Sequence, residues 1–332
     1  MLSRVADSLY WMSRYVERAE HTTRLLDVNL NLMLDESATS ADHRWPRLMR
    51  SLAHPKRLKW EGNAYALTGT LTFDKELKSS VVSCIIQARE NARHVREQIS
   101  TEQWQRLNSL YLEVTRPEQR DVMKVGSTQV SGEGPSAFLQ SILEASYQFK
   151  GITDTTMSHG EGWQFIQVGI FLERAGSTAK LLEAYQEDLW ALPERAVDST
   201  QYLEWMGLLR SCTAFEAYCK VYTADLTPER ILEFLLLDAE FPHSLRFSIE
   251  AVEGALGKIF SKTGTRDIKS RGDHLHRIAG RLSAQLSFSG VEELLSGNII
   301  EYLQSIQRQC QTLHQGIYEL YVDYPVQLAL AG

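Results

Sequence analysis

A chain of 332 residues is long for one domain and suits two, or one large duplicated helical body. Its 43% hydrophobic and 23% charged residues are ordinary for a globular protein with ample core material, so no metal or disulfide is needed to stabilise it. A net charge of −7 argues against general nucleic-acid binding, and four scattered cysteines without CxxC spacing point to a reducing compartment.

The opening residues carry Arg4 and Asp7 early and lack a continuous apolar run, so no export signal is expected. Nowhere do roughly 18 apolar residues follow one another, which makes the cytoplasm the expected location. Residues 2–34 hold neither proline nor glycine, and Leu2, Val5, Leu9, Met12, Val16, Ala19, Thr23, Leu26 and Leu30 recur at helical spacing. A second apolar line through Trp11, Tyr15, Thr22, Leu25 and Leu32 predicts a central helix covered on most sides.

A short helix is expected from Asp42, with Pro46 in its first turn, and another from about Lys75 to Ile99. Helices at 101–115 and 136–149 follow, separated by a polar loop over 116–135. The second half predicts helices at 161–190, 199–222, 228–236, 242–260 and 291–321, with Gly264 and Gly272 interrupting the chain. Cys212 and Cys219 fall two turns apart on one predicted helix face and read as core thiols, while Trp163 and Trp205 read as core aromatics.

One segment recurs. Residues 15–27 align without a gap on 171–183, with six identical positions and four conservative ones. Residues 71–83 align on 235–247 at Leu71/Leu235, Asp74/Asp238, Glu76/Glu240 and Ser80/Ser244, and Trp45 and Leu48 are echoed by Trp205 and Leu208. The expected architecture is therefore all-α: two tandem copies of a helical unit, 1–150 and 158–326, related by a pseudo-two-fold axis.

The recurring segment carries a charged pair, Glu17-Arg18 and Glu173-Arg174, in otherwise apolar surroundings. A buried charge costs several kcal/mol unless paired. Arg14, Glu17, His21 and Arg24 lie on one helix line, echoed by Glu173 and Lys180 in the second copy. Arg18 and Arg174 point toward neighbouring helices, so each Glu and each Arg of the two pairs needs a partner elsewhere, with Arg93, Arg96 and Glu97 as candidates in the first copy and Arg246 and Glu250 in the second. These groups read either as interhelical salt bridges or as a polar pocket in which Glu17 and Glu173 act as acid and base on an amino or peptide ligand. A di-metal site needs Glu-x-x-His on facing helices, and that spacing occurs only at Glu240-Phe241-Pro242-His243, so no metal and no other cofactor is expected.

Basic clusters at 44–59 (Arg44, Arg47, Arg50) and 262–281 (Lys269, Arg271, Arg277) read as solvated faces or as surfaces docking an acidic partner or a phosphate. His159 and the Asp273-His274-Leu275-His276 run are candidates of lower specificity. No GxGxxG, Walker, GxSxG or zinc-type spacing is present.

The opening, Met1-Leu2-Ser3-Arg4-Val5-Ala6-Asp7-Ser8-Leu9-Tyr10-Trp11-Met12-Ser13-Arg14-Tyr15-Val16-Glu17-Arg18-Ala19-Glu20, resembles the bacterial alpha-E domain family, named for an all-helical fold with a Glu-Arg motif. Ala88–Arg93, Val95–Ser100, Gly162-Trp163, Glu173-Arg174-Ala175 and Phe241-Pro242-His243-Ser244 extend the likeness over essentially the whole chain. The family usually shows an arginine where His243 stands. Alpha-E proteins tend to be encoded beside, or fused to, a circularly permuted ATP-grasp ligase. The resemblance thus implies a helical accessory subunit of an ATP-dependent amide- or peptide-ligating system, with nucleotide chemistry left to the ligase partner. An enzyme acting through Glu17 and Glu173, or a purely structural scaffold, are the alternatives.

Overall fold

The structure, a computed structural model, describes residues 3–33, 38–52, 58–123, 134–190, 199–223, 225–262 and 266–323. Every regular element among them is helical. By their contacts they fall into two compact units, one spanning Arg14–Met157 and the other joining Met1–Ser13 to Ser158–Gly332. The long first helix, α1 (Ser3–Leu32), contributes its opening turns to the latter and the remainder to the former.

The 14–157 unit adds α2 (Ala38–Ser51), α3 (Ala64–Phe73), α4 (Val81–His94), α5 (Thr101–Val114) and α6 (Pro135–Thr156). Its core is built from Leu25, Leu26, Trp45, Leu71, Ile85, Leu107 and Ile142, all buried. Ser100 begins α5 with a reciprocal cap. Its hydroxyl accepts from the Gln103 N–H (3.1 Å), and the Gln103 side-chain oxygen accepts from the Ser100 N–H (2.7 Å). The same Gln103 donates to Thr153 of α6 at 2.9 Å, so the cap also ties α5 to α6.

The other unit contains α7 (Glu161–Tyr185), α8 (Ser199–Ser211), α9 (Phe215–Tyr222), α10 (Pro228–Leu237), α11 (Leu245–Lys262), α12 (Arg266–Phe288), α13 (Val291–Ser296) and α14 (Ile299–Tyr318). Helix α7 is apolar nearly all round and packs on α11 and α14. The start of α1 also crosses α7 closely. A Cβ at Gly169 would lie 2.6 Å from the Tyr10 carbonyl oxygen and closer still to Ser13, so only glycine permits the approach.

Several boundaries differ from expectation for local reasons. Pro46 sits inside α2 rather than in its first turn. The helix expected over 75–99 begins only at Val81, because Asp74 and Ser80 organise a turn first, and α3 before it was not anticipated. The helix expected over 199–222 breaks at Thr213, whose φ of 53° lies in the left-handed region. Cys212 consequently lies in the turn just past α8 and is buried, while Cys219 lies on α9 and is half-buried. Gly272 does not interrupt the chain but lies inside α12, while Gly264 lies outside the described residues. A glycine inside a helix costs only about 1 kcal/mol, which packing readily outweighs. The terminal helix is divided at Gly297, where Asn298 caps α14 through the Glu301 N–H.

The two helix pairs α3–α4 and α10–α11 correspond at one constant offset, which takes Ala64 to Pro228, Phe73 to Leu237 and Val81 to Leu245. Their connecting turns share hydrogen bonds position by position. The Asp74 carboxylate accepts from the Glu76 N–H (2.9 Å) as Asp238 does from Glu240 (2.8 Å). The Ser80 hydroxyl caps α4 through the Ser83 N–H (3.2 Å) as Ser244 caps α11 through Phe247 (3.0 Å). Even the weak Cys84 thiol contact to the Lys78 carbonyl (3.8 Å) has its counterpart in Ser248 donating to Pro242 (3.4 Å).

Candidate functional site: a buried ionic cluster and a braced turn

In the 14–157 unit, the polar line of α1 meets one cation from α6. Glu17 and Glu20, three residues apart, are 3% and 2% exposed. Lys150 reaches both, with its Nζ 2.5 Å from Glu17 Oε2 and 2.6 Å from Glu20 Oε2. One turn on, buried Arg24 donates from Nη2 to Glu20 Oε1 (2.9 Å) and to the Tyr147 hydroxyl (2.5 Å), its guanidinium lying 5.4 Å from the Tyr147 ring centre. Two carboxylates and two cations therefore share one largely dry site with no net charge. Such a set offsets its desolvation cost only through close ion pairs, which here reach Glu17 Oε2 and both oxygens of Glu20.

In the other unit, Arg174 is buried and points to the turn before α11. Its Nη1 donates to the Pro242 carbonyl (3.0 Å) and its guanidinium sits 5.0 Å from the Phe171 ring centre. The turn is held from within as well. Asp238 Oδ1 accepts from the Glu240 and Phe241 N–H groups (2.8 and 2.7 Å), and the Ser244 hydroxyl donates to the Asp238 carbonyl (2.5 Å). Thus Arg174 closes the Phe241–Ser244 turn onto α7. Glu173 is buried beside it, and Lys180 is half-buried.

The remaining candidates are spread out. Arg18 lies 5.5 Å from the Tyr15 ring centre, and Arg14 and His21 are half-buried on α1. Arg93 pairs with Glu90 at 2.9 Å, and Arg96 stacks 4.7 Å from the Trp104 ring centre. Arg246 and Glu250 pair with each other at 2.8 Å. Of the first basic cluster, Arg44 and Arg47 are buried within α2 while Arg50 is exposed; the side chains of Lys269 and Arg271 lie outside the described residues. His159 stacks on half-buried Trp163 with ring centres 4.2 Å apart, and Trp205 is a core residue. Among the described residues no group of three His, Cys, Asp or Glu is placed to hold a metal ion, and no helix is long and apolar enough to cross a membrane.

Three members of the ionic cluster were not among the sequence candidates: Glu20, Tyr147 and Lys150. Glu20 was legible, standing three residues after Glu17 and four before Arg24. Lys150 had a weaker signal, as the single cation of α6.

These features define an all-helical protein whose Glu-Arg helices are tied down by buried charge. The chain belongs to the Alpha-E family, described as a predicted alpha-helical domain with a conserved ER motif, whose model matches residues 1–322. It is 24% identical over 309 residues to the uncharacterized protein Mb2597 of Mycobacterium bovis and, equally, to the uncharacterized proteins MT2643 and Rv2567 of Mycobacterium tuberculosis. Each alignment covers 88% of this chain but 33% of the relative, so the chain spans about a third of the length of the curated relatives it matches. No solved structure matches it.

Proposed function

We propose that this protein is the helical accessory component of an ATP-dependent amide- or peptide-ligating system, working with an ATP-grasp ligase-type protein in the cytoplasm. The observation that carries the reading is the length relation: in its mycobacterial relatives the matching region is one third of a much longer chain. A helical body joined to a larger remainder is what a module serving a second activity looks like. The role proposed for this chain is to dock and position, with ATP chemistry in the partner.

On this reading Glu17 and Arg174 act as braces. The Lys150 contacts of Glu17 and the Pro242 contact of Arg174 support it, because each buried charge is answered by a partner on another helix or turn. The matching α3–α4 and α10–α11 turns support tandem duplication, with a pseudo-two-fold axis as the relation inferred for the copies.

Co-purification with the ATP-grasp protein of the same organism, followed by ATP turnover with and without this chain, tests the proposal. A complex at micromolar concentration and altered turnover are expected; no complex and unchanged turnover would sink it. The enzyme alternative is separated by Glu17→Gln with Glu173→Gln. Loss of a ligation activity in a fully folded double variant would favour acid–base roles over braces.

A further inference from the structure

Between α12 and α14 lies an open cleft of about 1190 Å³, lined by His274, Arg277, Arg308, Gln311, Gln315 and their neighbours. It exceeds the few hundred to about 1,000 Å³ of ordinary small-molecule pockets. Its floor is apolar, formed by Leu275, Ile278 and Leu320. The floor exists because the helices approach closely at Gly316, where a Cβ would come 2.7 Å from a Leu275 methyl. The walls are polar and regular. On α14, Arg308, Gln311, Thr312 and Gln315 recur at three- and four-residue steps along one face, with Glu319 just past its end.

The charge on these walls stands against that of the chain. Arg277 and Arg308 are exposed, and neither guanidinium has a carboxylate partner among the described residues; Arg277 Nε donates only to the Asp273 carbonyl, 3.1 Å away. Histidines stand on both walls, His274 from α12 and His314 from α14, the latter held by the Tyr10 hydroxyl at 2.9 Å. The lining carboxylate, Glu319, is engaged by Gln315 at 2.8 Å. In a protein of net charge −7, two arginines facing one cleft without a carboxylate partner among the described residues form a local cationic site.

We infer that the α12–α14 cleft is a docking site for an acidic peptide segment, with Arg277 and Arg308 taking its carboxylates and the Gln311 and Gln315 amides its backbone. Guanidinium forks match carboxylates two bonds at a time. A primary amide offers one donor pair and one acceptor, which is the complement of a peptide group. A length of polar face with an apolar floor suits an extended chain better than a compact anion. The site shares no residue with the ionic cluster and does not depend on the ligase reading.

Fluorescence anisotropy of a labelled oligoglutamate peptide titrated with the full chain tests this, with oligoglutamine and inorganic polyphosphate as comparison probes. Binding that weakens steeply with added salt is expected. Arg277→Gln with Arg308→Gln should weaken it by about tenfold or more, and the paired lysine variant should lose less. Gln311→Ala with Gln315→Ala should weaken the peptide while leaving any polyphosphate binding unchanged. Circular dichroism checks that these exposed substitutions leave the fold intact. The inference is overturned if the peptide does not bind at millimolar protein, if the arginine variant binds as tightly as the original, or if polyphosphate binds equally and the glutamine variant weakens neither.

Discussion

Replacing Lys150 with methionine keeps most of the side chain's volume and removes the cation between Glu17 and Glu20. Of the two carboxylates, 3% and 2% exposed, Glu20 would keep its Arg24 pair while Glu17 would lose its Lys150 contact. Breaking a buried ion pair from one side costs about 3–5 kcal/mol. Because the Lys150 side chain is 20% exposed, water can enter the vacated site, and the lower end, about 3 kcal/mol, is expected. That is a large share of a total stability of about 5–15 kcal/mol. In urea the midpoint should fall by roughly 1 M with little change in slope, taking a slope of about 2–3 kcal/mol/M. Lys150→Met combined with Glu17→Met restores a balanced Glu20–Arg24 pair in an apolar setting and should recover most of the loss. A cost under about 1 kcal/mol for the single variant, or a double variant no more stable than the single, would refute the account of this cluster as a brace.

Three further outcomes are expected. Arg174→Met should cost about 1–3 kcal/mol in urea melts, since it removes the donor to the Pro242 carbonyl, and hydrogen exchange should accelerate around 238–248. Ser100→Ala should cost about 1 kcal/mol through loss of the α5 cap, measured the same way. Asp7 is the pH-sensitive case: burial raises its carboxyl pKa, and a hydrogen bond from Trp11 offsets this only in part. A raised folded pKa means that the folded state holds the proton more tightly than the unfolded one. Stability is therefore favoured below the ordinary carboxylate range and falls as pH rises through the folded value. Asp7→Asn should raise the melting temperature at neutral pH and leave it unchanged near pH 3; a loss at neutral pH would contradict the sign.

Much of the fold was legible because periodicity reports burial. The bare helical spacing of residues 2–34 predicted α1, and the proline at 228 announced α10. The missed α3 has a clear physical reason. Gly69 and the three threonines Thr68, Thr70 and Thr72 depress the helix propensity of Ala64–Phe73, while burial of Leu67, Thr68, Leu71 and Thr72 favours it. The break at Thr213 carries no glycine or proline to announce it. There the chain turns through a left-handed residue while neighbouring Ala214 is buried, and its N–H is bonded back to Leu209.

What the sequence by itself determined was the helical class, the family, and the recurrence of a Glu-Arg pair on two apolar helices. Those follow from local pattern, which the chain carries in its order. The partners of those charges were a matter for tertiary structure alone. Lys150 lies 133 positions beyond Glu17, and Pro242 meets Arg174 across 68. Spacing along one helix shows that a charge must be answered. Only the packing of α6 against α1, and of the turn before α11 against α7, determines which group answers it.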